Sequence, residues 1–311
     1  MIRGWVQALP LDRGRQRIEH FLPLRLREAL PALLDQLDGL AQVLSRHPAD
    51  DGSERLLWRL EDGQSIEGVL LPRGGLCVST QLGCAVGCRF CMTGKGGLLR
   101  QLGSAEIVAQ VAQARRLRPV KKVVFMGMGE PAHNLDAVLE AIDCLATDGA
   151  IGHKNLVFST VGDPRVFERL PTLAVKPALA LSLHSINAAR RADLLPKAPR
   201  YEPAALFGEA ADYAEATGYP LQVQWTLLDG VNDGDDEIDA LIALFKGRYA
   251  MLNFIPWNTV EGMPFRRPAW DKARALAARL NAAGVLTKLR DSAGQDVEGG
   301  CGQLRARQIP A

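Results

Sequence analysis

The sequence predicts an α/β fold in which parallel strands form a closed or partial barrel. Short β-rich runs alternate with helical segments from residue 76 onward, and this alternation is typical of a parallel sheet with helical crossovers. Polar residues follow the predicted strands more often than they precede them, and α/β barrels build their active sites at the C-terminal ends of strands. The 311 residues suffice for one large domain with a small extension.

The first 50 residues are expected to be helical. Leucines recur there near helical spacing, at Leu22, Leu24, Leu26, Leu30, Leu33, Leu34, Leu37 and Leu40. A break at 47–52 follows, and two short strands, 55–60 and 65–71, then flank a turn at 61–63. We interpret this region as a small accessory module outside the main core.

The segments after residue 76 supply the barrel. The predicted strands are 77–80, 122–126, 156–159, 178–183, 221–227, 251–255 and 285–289. The predicted helices are 104–118, 134–147, 203–217, 235–247 and 268–283. Ser104 with Glu106 is a plausible helix start, and Gly218 and Gly284 are plausible helix ends.

Composition indicates a soluble globular protein of a reducing compartment. Hydrophobic residues make up 47% and charged residues 23% of the chain, which is ordinary for this class. No run approaches the roughly 18 apolar residues of a membrane span, and the N-terminus lacks the apolar core of a signal peptide. Six unevenly spaced cysteines do not suggest a secreted disulfide framework, so a cytoplasmic location is expected.

The net charge of +2 neither requires nor excludes a nucleic-acid partner, because a local basic patch is what matters. Basic residues cluster at several places, each of which is also typical of a solvated helix end. The clusters are Arg115 to Lys122, Arg190 with Arg191, Lys197 with Arg200, Arg266 with Arg267, and Arg305 with Arg307.

Three cysteines on one tight loop, Cys84, Cys88 and Cys91, point to a shared metal. Zinc usually takes four ligands, and no fourth candidate lies nearby. Three thiolates suit a 4Fe–4S cluster with one open iron, which can bind a small chelating molecule such as S-adenosylmethionine. With Phe90 before the last cysteine, the spacing is the radical-SAM signature. Zinc and unligated core thiols are the alternatives.

Other candidates follow predicted strands. Residues 127–131, Gly-Met-Gly-Glu-Pro, form either a plain turn or a contact with the methionine part of the cofactor, since glycines let the backbone approach a ligand. His184 ends an apolar strand, so it is either a core histidine or a site residue. Cys77 precedes the cysteine loop, and Cys301 lies among glycines that lower the cost of moving its thiol. Cys144 is expected to be inert.

These stretches together resemble the RlmN/Cfr family of radical-SAM ribosomal RNA adenine methyltransferases, and the chain looks like a short RlmN-like paralogue. The resemblance covers roughly residues 55 to 305. Its motifs are 77–84, the cysteine loop with Thr93-Gly94-Lys95, 127–131, 182–184, 228–233, 255–258 and 301–304.

The resemblance implies a two-cysteine mechanism with two S-adenosylmethionine molecules per turnover. Cys301 would accept a methyl group from the first molecule. A 5′-deoxyadenosyl radical from the second would abstract hydrogen from that methyl group, which would then add to an adenine ring carbon of RNA, carbon 2 or alternatively carbon 8. Cys77 would resolve the covalent adduct and form a disulfide with Cys301. A ring amidine carbon is electrophilic, so transfer of a methyl cation would not work there.

The resemblance also assigns further residues and partners. Glu67 matches a proposed proton acceptor. The positions that match cofactor-binding residues are Gly129, Glu130, Ser159, Ser182, Leu183, His184 and Asn258. The implied partners are an RNA substrate, rRNA or tRNA, with an extruded base, and an electron donor of the flavodoxin or ferredoxin type; a monomer is expected.

The expected architecture is a partial (β/α)6 radical-SAM TIM-like barrel at 71–290. It is preceded by an α+β accessory module at 1–70, helical and then a β-hairpin, and followed by a C-terminal tail at 291–311. The chain departs from the family in its shorter N-terminus, in Gly299-Gly300 where alanines are usual, and in Met92. Two other functions stay open: a radical-SAM activase or mutase without methyl transfer, and a zinc-stabilised RNA-binding protein.

Overall fold

A computed structural model describes residues 1–12 and 17–305. The helices are α1 Ile2–Val6, α2 Leu24–Gly39, α3 Ser104–Leu117, α4 Leu135–Thr147, α5 Pro164–Arg169, α6 Ala188–Leu194, α7 Pro203–Thr217, α8 Asp235–Phe245 and α9 Trp270–Ala282. The strands are β1 Ala41–Pro48, β2 Glu54–Leu60, β3 Ser65–Leu71, β4 Gly75–Cys77, β5 Gln81–Gly83, β6 Leu98–Gln101, β7 Lys122–Phe125, β8 Leu156–Thr160, β9 Ala178–Ser182, β10 Leu221–Leu227, β11 Ala250–Pro256 and β12 Thr287–Leu289.

One large sheet organises the described residues. Its strand order is β1-β2-β3-β4-β7-β8-β9-β10-β11-β12, and the seven described strands from β4 onward run parallel. Each crossover between these parallel strands contains at least one helix. Because β1 and β12 are separate edges, the barrel is partial, which confirms the predicted α/β fold class.

The N-terminal strands continue this sheet. β1, β2 and β3 pair antiparallel, and β3 joins β4 through pairs such as Val69 with Cys77. Leu56, Trp58 and Ile66 are fully buried in the same hydrophobic core as the parallel strands. The N-terminal strands therefore share the hydrophobic core of the barrel. The domain boundaries at residues 70 and 290 stay a prediction.

The expectation that residues 1 to about 50 are helical is wrong for 41–48. Helix α2 ends at Gly39, and residues 41–48 form β1. Exposure alternates along β1, which is the pattern of a strand with one covered face. The leucine repeat stops at Leu40, and within α2 only Leu30 is buried, while Leu24 is 60% exposed.

The remaining differences are local. Strand β4 ends at Cys77 instead of continuing to residue 80, and β12 begins at Thr287. The short hairpin β5–β6 and the helices α5 and α6 were not predicted, because elements this short show little hydrophobic periodicity in the sequence. Within the two described ranges, none of the helices combines the length and apolar character that a bilayer crossing demands. Arg307 lies outside the described residues.

Candidate active site

The cysteine loop lies over the C-terminal ends of the parallel strands and is fixed by packing. Cys84, Val86 and Phe90 are buried in a second hydrophobic cluster that includes Leu194 and Trp257. The Trp257 indole Nε1 donates to the carbonyl of Phe90 at 3.0 Å. The backbone N–H of residue 89 also donates to the carbonyl of Leu194 at 3.0 Å. Helix α6, which follows β9, and the loop after β11 thus hold the cysteine loop in place.

A cavity opens beneath this loop. Successive strand ends contribute to its wall, as the polar residues after the strands predicted. Representative lining residues in chain order are Cys84, Gly127, Ser159, Ser182, Thr226 and Ile255. The C-terminal edge of the partial barrel therefore carries one shared cavity, the usual place for an active site in this architecture.

Most of the predicted site residues line this first cavity. They are Cys84, Cys88, Cys91, Gly129, Glu130, Ser159, Ser182, His184 and Cys301. Cys77 lies instead in the wall of a second, adjoining cavity. Glu67, Leu183 and Asn258 line neither of the two cavities.

The three loop thiols are free and influence one another. Burial raises the pKa of Cys84 to about 12. Burial, followed by the nearby Cys91 and Cys84, also raises the pKa of Cys88 well above its ordinary value. Thiols that disfavour each other's ionisation in a buried pocket gain from a cation that neutralises them.

The donor set fits a 4Fe–4S cluster. Among the described side chains, no three His, Cys, Asp or Glu residues are arranged around a point where one metal ion would sit. A cubane cluster binds each thiolate through a different iron, so its ligands need not converge on one point. Three thiols on one loop, all facing one cavity, are compatible with that arrangement.

Glu130 and Gly129 line the same cavity as the cysteines. The carboxylate of Glu130 is buried and accepts hydrogen bonds from the backbone N–H groups of Ala132 at 3.2 Å and Val161 at 3.1 Å. Burial raises the pKa of Glu130 to about 7, despite these hydrogen bonds. Gly129 has φ 108°, and a Cβ there would lie 2.7 Å from the side chain of Gln81. Only glycine allows this close turn at the cavity wall.

His184 is held neutral in a strained backbone conformation. Its φ is +62°, which is uncommon for a residue with a side chain. The ring Nδ1 accepts a hydrogen bond from the Thr226 N–H at 2.9 Å, and the ring packs edge-on against Phe90 at 4.8 Å between centroids. Burial, with a smaller contribution from the charge of Arg191, lowers the pKa of His184 to about 3. The structure thus places His184 in the site.

Two buried side chains that support this edge were not predicted as site residues. Asn232 Nδ2 donates to the carbonyls of His184 at 2.7 Å and Thr226 at 2.8 Å, tying two strand ends together. Arg191 Nη2 donates to the carbonyl of Val161 at 2.5 Å. Asn232 lies inside the motif at 228–233, so the sequence contained a signal for it. Arg191 was noted only as part of a basic pair.

The second cavity brings Cys77 and Cys301 together. Cys77 ends β4, and Cys301 lies in the tail; both line this cavity, and Cys301 also lines the first one. Burial, and then the proximity of Cys301, raises the pKa of Cys77. Cys301 as a whole is exposed, but the atoms packed around its thiol raise its pKa as well, partly offset by the nearby hydroxyl of Ser292. Both cysteines are free.

Individual hydrogen bonds hold the tail over the cysteine loop. Asn258 Nδ2 donates to the carbonyl of Cys301 at 2.9 Å. The Met92 N–H donates to the carbonyl of Gly302 at 2.8 Å, and the Thr93 hydroxyl donates to the carbonyl of Leu304 at 2.6 Å. Asn258, predicted as a cofactor ligand, therefore supports the Cys301 backbone in this structure.

Glu67 is fully buried and ion-paired with Arg55. Its Oε2 atom accepts a hydrogen bond from the backbone N–H of Arg305 at 2.9 Å. Arg55, which the sequence gave no reason to select, also donates from Nε to the carbonyl of Val297 at 2.5 Å. Glu67 thus contacts the tail on one side of Cys301, and Arg55 contacts it on the other.

The basic clusters do not all lie near the cavities. Arg116 and Arg118 lie at the end of α3, beside the N-terminal edge of β7, and therefore at the end of the barrel opposite to the cysteine loop. Lys197 is exposed, and its N–H donates to the carbonyl of Val86 in the cysteine loop at 3.2 Å. Arg305 follows the Cys301 loop and pairs with Glu298 at 3.2 Å.

Comparison with known proteins yields one family and several close relatives. The model of the radical SAM superfamily matches residues 78–242, more than half of the chain. A protein of Leptothrix cholodnii described as a probable RNA methyltransferase is 67% identical over 99% of this chain and 89% of its own length. One from Methylibium petroleiphilum with the same description is 69% identical over 99% and 88%.

A solved structure agrees with these sequence matches. The crystal structure of a radical SAM methyltransferase from Sphaerobacter thermophilus superposes with a TM-score of 0.86 and 34% sequence identity. The match covers 98% of this chain and 91% of the other. The similarity therefore extends over the barrel, the N-terminal strands and the tail.

Proposed function

The chain belongs to the radical SAM superfamily, and from that membership we propose that it is a methyltransferase that acts on RNA. Two relatives with 67% and 69% identity are described as probable RNA methyltransferases, and both matches span 99% of this chain. The structural neighbour at 34% identity is itself a radical SAM methyltransferase. The loop of Cys84, Cys88 and Cys91 would hold the 4Fe–4S cluster.

The methyl acceptor in this proposal is a ring carbon of adenine, carbon 2, with carbon 8 as the alternative that the RlmN/Cfr resemblance leaves. One observation supports the two-cysteine chemistry: Cys301 lines both the cavity of the cysteine loop and the cavity of Cys77. A single thiol could thereby receive a methyl group in the first cavity and be within reach of Cys77 in the second. An activase or mutase has no need for such a pair of thiols.

When bound, the cluster supplies an electron that cleaves S-adenosylmethionine to a 5′-deoxyadenosyl radical. Gly129, Glu130, Ser159, Ser182 and His184, which line the first cavity, would hold that molecule. The family resemblance adds Leu183 and Asn258, which lie outside the cavity wall. Glu130 and Gly129 offer a buried carboxylate and a half-buried stretch of backbone, which suit an ammonium group. The neutral ring of His184 keeps a positive charge away from the sulfonium.

Cys301 would first lose its proton and attack the methyl carbon of one S-adenosylmethionine. The new bond joins sulfur to carbon, and S-adenosylhomocysteine leaves with the electron pair of the broken bond. After the methylene carbon has been joined to adenine, the adduct would have to return the electron that the cluster supplied and lose the ring hydrogen as a proton. The Cys77 thiolate would then attack the sulfur of Cys301, and the sulfur–carbon bond would break with its electron pair on carbon, which takes up a proton to become the methyl group of the released RNA. The two cysteines would be left as a disulfide, which an external thiol must reduce.

Glu67 stays a candidate proton acceptor for the adenine hydrogen, although its carboxylate already contacts Arg55 and the Arg305 N–H. We also propose the remaining expectations: an rRNA or tRNA substrate with an extruded base, an electron donor of the flavodoxin or ferredoxin type, two S-adenosylmethionine molecules per turnover, a monomer, and a cytoplasmic location. The partition at 1–70, 71–290 and 291–311 belongs to the same proposal.

Mass spectrometry of RNA nucleosides tests this function. Cells with the gene, without it, and with Cys301→Ala are compared, and Cys144→Ala on α4 serves as the matched control. We expect 2-methyladenosine to fall in the deletion and in Cys301→Ala but not in the control. Loss of 8-methyladenosine instead would overturn the ring position only. No change in any methyladenosine would contradict the methyltransferase proposal and favour an activase.

A further inference from the structure

The loop that carries Cys301 is held at both ends by one ion pair of the N-terminal hairpin. Arg55 Nε donates to the carbonyl of Val297, four residues before Cys301, at 2.5 Å. Glu67 Oε2 accepts from the N–H of Arg305, four residues after Cys301, at 2.9 Å. Arg55 Nη1 closes the connection by donating to Glu67 Oε1.

The pair lies on the face of the hairpin that the tail covers. Arg55 is opposite Val69 in the β2–β3 register, so Glu67 is its diagonal neighbour, within reach of a long side chain. Val69 lines the second cavity together with Cys77 and Cys301. A Cβ on Gly299 would lie 3.4 Å from both Arg55 Cβ and Val69 Cγ2, so the tail backbone packs directly against this face.

Burial makes both charges dependent on this arrangement. The side chain of Arg55 is 8% exposed and that of Glu67 is 0% exposed. Removing two charges from water is costly, and the cost is offset only when good geometry and further hydrogen bonds satisfy both groups. Two of those further bonds are to the tail, so the stability of the pair and the position of the tail are coupled.

From this geometry we infer that Arg55 and Glu67 are positioning residues that clamp the Cys301 loop between the two cavities. The guanidinium spans two acceptors in fixed directions, which an ammonium group cannot reproduce. The clamp explains why the strands before β4 are continuous with the barrel sheet: they carry the anchor of the tail. Its catalytic meaning depends on the proposed function, but its effect on the tail does not.

Hydrogen exchange of the full-length, cluster-loaded protein tests the clamp. We expect Arg55→Lys, which keeps a positive charge beside Glu67, to speed amide exchange in peptides covering 295–305 by about tenfold, the effect of losing one hydrogen bond to a charged group. Peptides covering β8 are expected to exchange as in the wild type. Glu54→Gln is the matched control, because Glu54 precedes Arg55 on β2, so its side chain points to the opposite face of the sheet, where it pairs with Arg46 of β1 at 2.5 Å.

A second measurement separates positioning from simple loss of structure. In the same proteins, S-methylation of Cys301 and release of 5′-deoxyadenosine are followed with S-adenosylmethionine. We expect Arg55→Lys to slow Cys301 methylation about tenfold, in line with one lost hydrogen bond, with unchanged iron content. Release of 5′-deoxyadenosine should slow together with methylation, because the hydrogen comes from the methyl group on Cys301. A variant that merely unfolded would lose its iron as well.

The outcomes are distinct. Unchanged exchange at 295–305 in both Arg55→Lys and Glu67→Gln would overturn the clamp; if Glu67→Gln then still abolished RNA methylation, Glu67 would act as the base alone. If the wild-type protein does not methylate Cys301 at all, the proposed function fails, while faster exchange of the tail in Arg55→Lys would still support the clamp.

Discussion

The two segments that bring thiols to the first cavity are held in different ways. The cysteine loop is embedded in a hydrophobic cluster with Val86 and Phe90 buried, and barrel loops pack on it from several sides. The tail around Cys301 contributes Leu304 to the core but is otherwise attached through hydrogen bonds to Arg55, Asn258 and Thr93. Hydrophobic packing fixes one segment, and a few polar contacts fix the other.

This difference suits the proposed roles of the two segments. Cluster ligands must keep one geometry, whereas Cys301 must react in one cavity and be resolved from another. Hydrogen bonds to the tail can be broken one at a time, each at a cost of about 1–3 kcal/mol. A contiguous apolar cluster cannot be opened so cheaply. Variants of the two segments should therefore fail differently.

The largest effect on iron content and activity is expected when a cysteine of the cysteine loop is replaced. Cys88→Ala takes away one of three cluster ligands, so iron content should fall from about four atoms per chain towards zero. Cys301→Ala should keep the iron and its brown colour while losing methyl transfer. Iron analysis and visible absorption after anaerobic reconstitution check this; equal iron loss in both variants would contradict the separation of the segments.

The contribution of His184 to folding stability is expected to depend on pH. Burial lowers the pKa of His184 from an ordinary 6.5 to about 3, so between these values the unfolded chain binds one more proton than the folded chain. Stability should therefore fall as pH drops through this window, by up to about 1.4 kcal/mol per pH unit from this group.

His184→Asn is the variant that isolates this contribution. Asparagine keeps an acceptor near the position of Nδ1 and tolerates the positive φ of 62°, but it does not titrate. Urea denaturation of the cluster-free protein between pH 4 and 7 should show a smaller slope for the variant. Parallel curves would mean that other groups cause the acid sensitivity.

The sequence predicted the barrel better than the N-terminus. Strands such as 221–227 are buried and bounded by glycines or prolines, so pattern and structure agree. Residues 41–48 were misjudged, since the preceding leucines suggested a longer helix, and the pairing of β1 with β2 that stabilises the strand is a tertiary feature. Propensity in a short segment is easily overridden by such pairing.

For the candidate site, too, the sequence predicted some residues and missed others. Residues in contiguous motifs, such as Cys84 and Glu130, line the first cavity, because a loop after a strand brings them there. Arg55 was missed because one partner, Glu67, meets it only through the pairing of β2 with β3, and the other, Val297, is distant in the chain. No spacing rule links an arginine on one strand with a carbonyl of a tail 242 residues away.

A moderate effect confined to the tail is expected from Gly300→Ala. A Cβ at this position would lie 2.7 Å from Asn258 Nδ2 and 2.7 Å from Gln303 Oε1, so the loop must shift. Strain of this kind costs about 1–3 kcal/mol. Amide exchange at 295–305 should increase, whereas the barrel should keep its thermal unfolding temperature.

Gly96→Ala is the control for this test, because a Cβ at Gly96 meets no atom within 4 Å and the backbone has no positive φ. Its tail exchange should match that of the wild type. A lowered unfolding temperature in Gly300→Ala with an unchanged tail would contradict the view that the tail is attached independently of the core.

The smallest effect is expected at Asn258, where two interpretations differ. The structure places its Nδ2 on the carbonyl of Cys301, whereas the family resemblance assigns it to the cofactor. If it anchors the tail, Asn258→Ala should slow Cys301 methylation about fivefold, the effect of roughly 1 kcal/mol, with an unchanged KM for S-adenosylmethionine. Asn253→Ala serves as control, because Asn253 lies on β11, just before Asn258, and its Oδ1 accepts from Arg290 at 2.8 Å. A raised KM with normal tail exchange would instead assign Asn258 to the cofactor, and the polar attachment of the tail would then depend on Arg55, Glu67 and the cysteine loop.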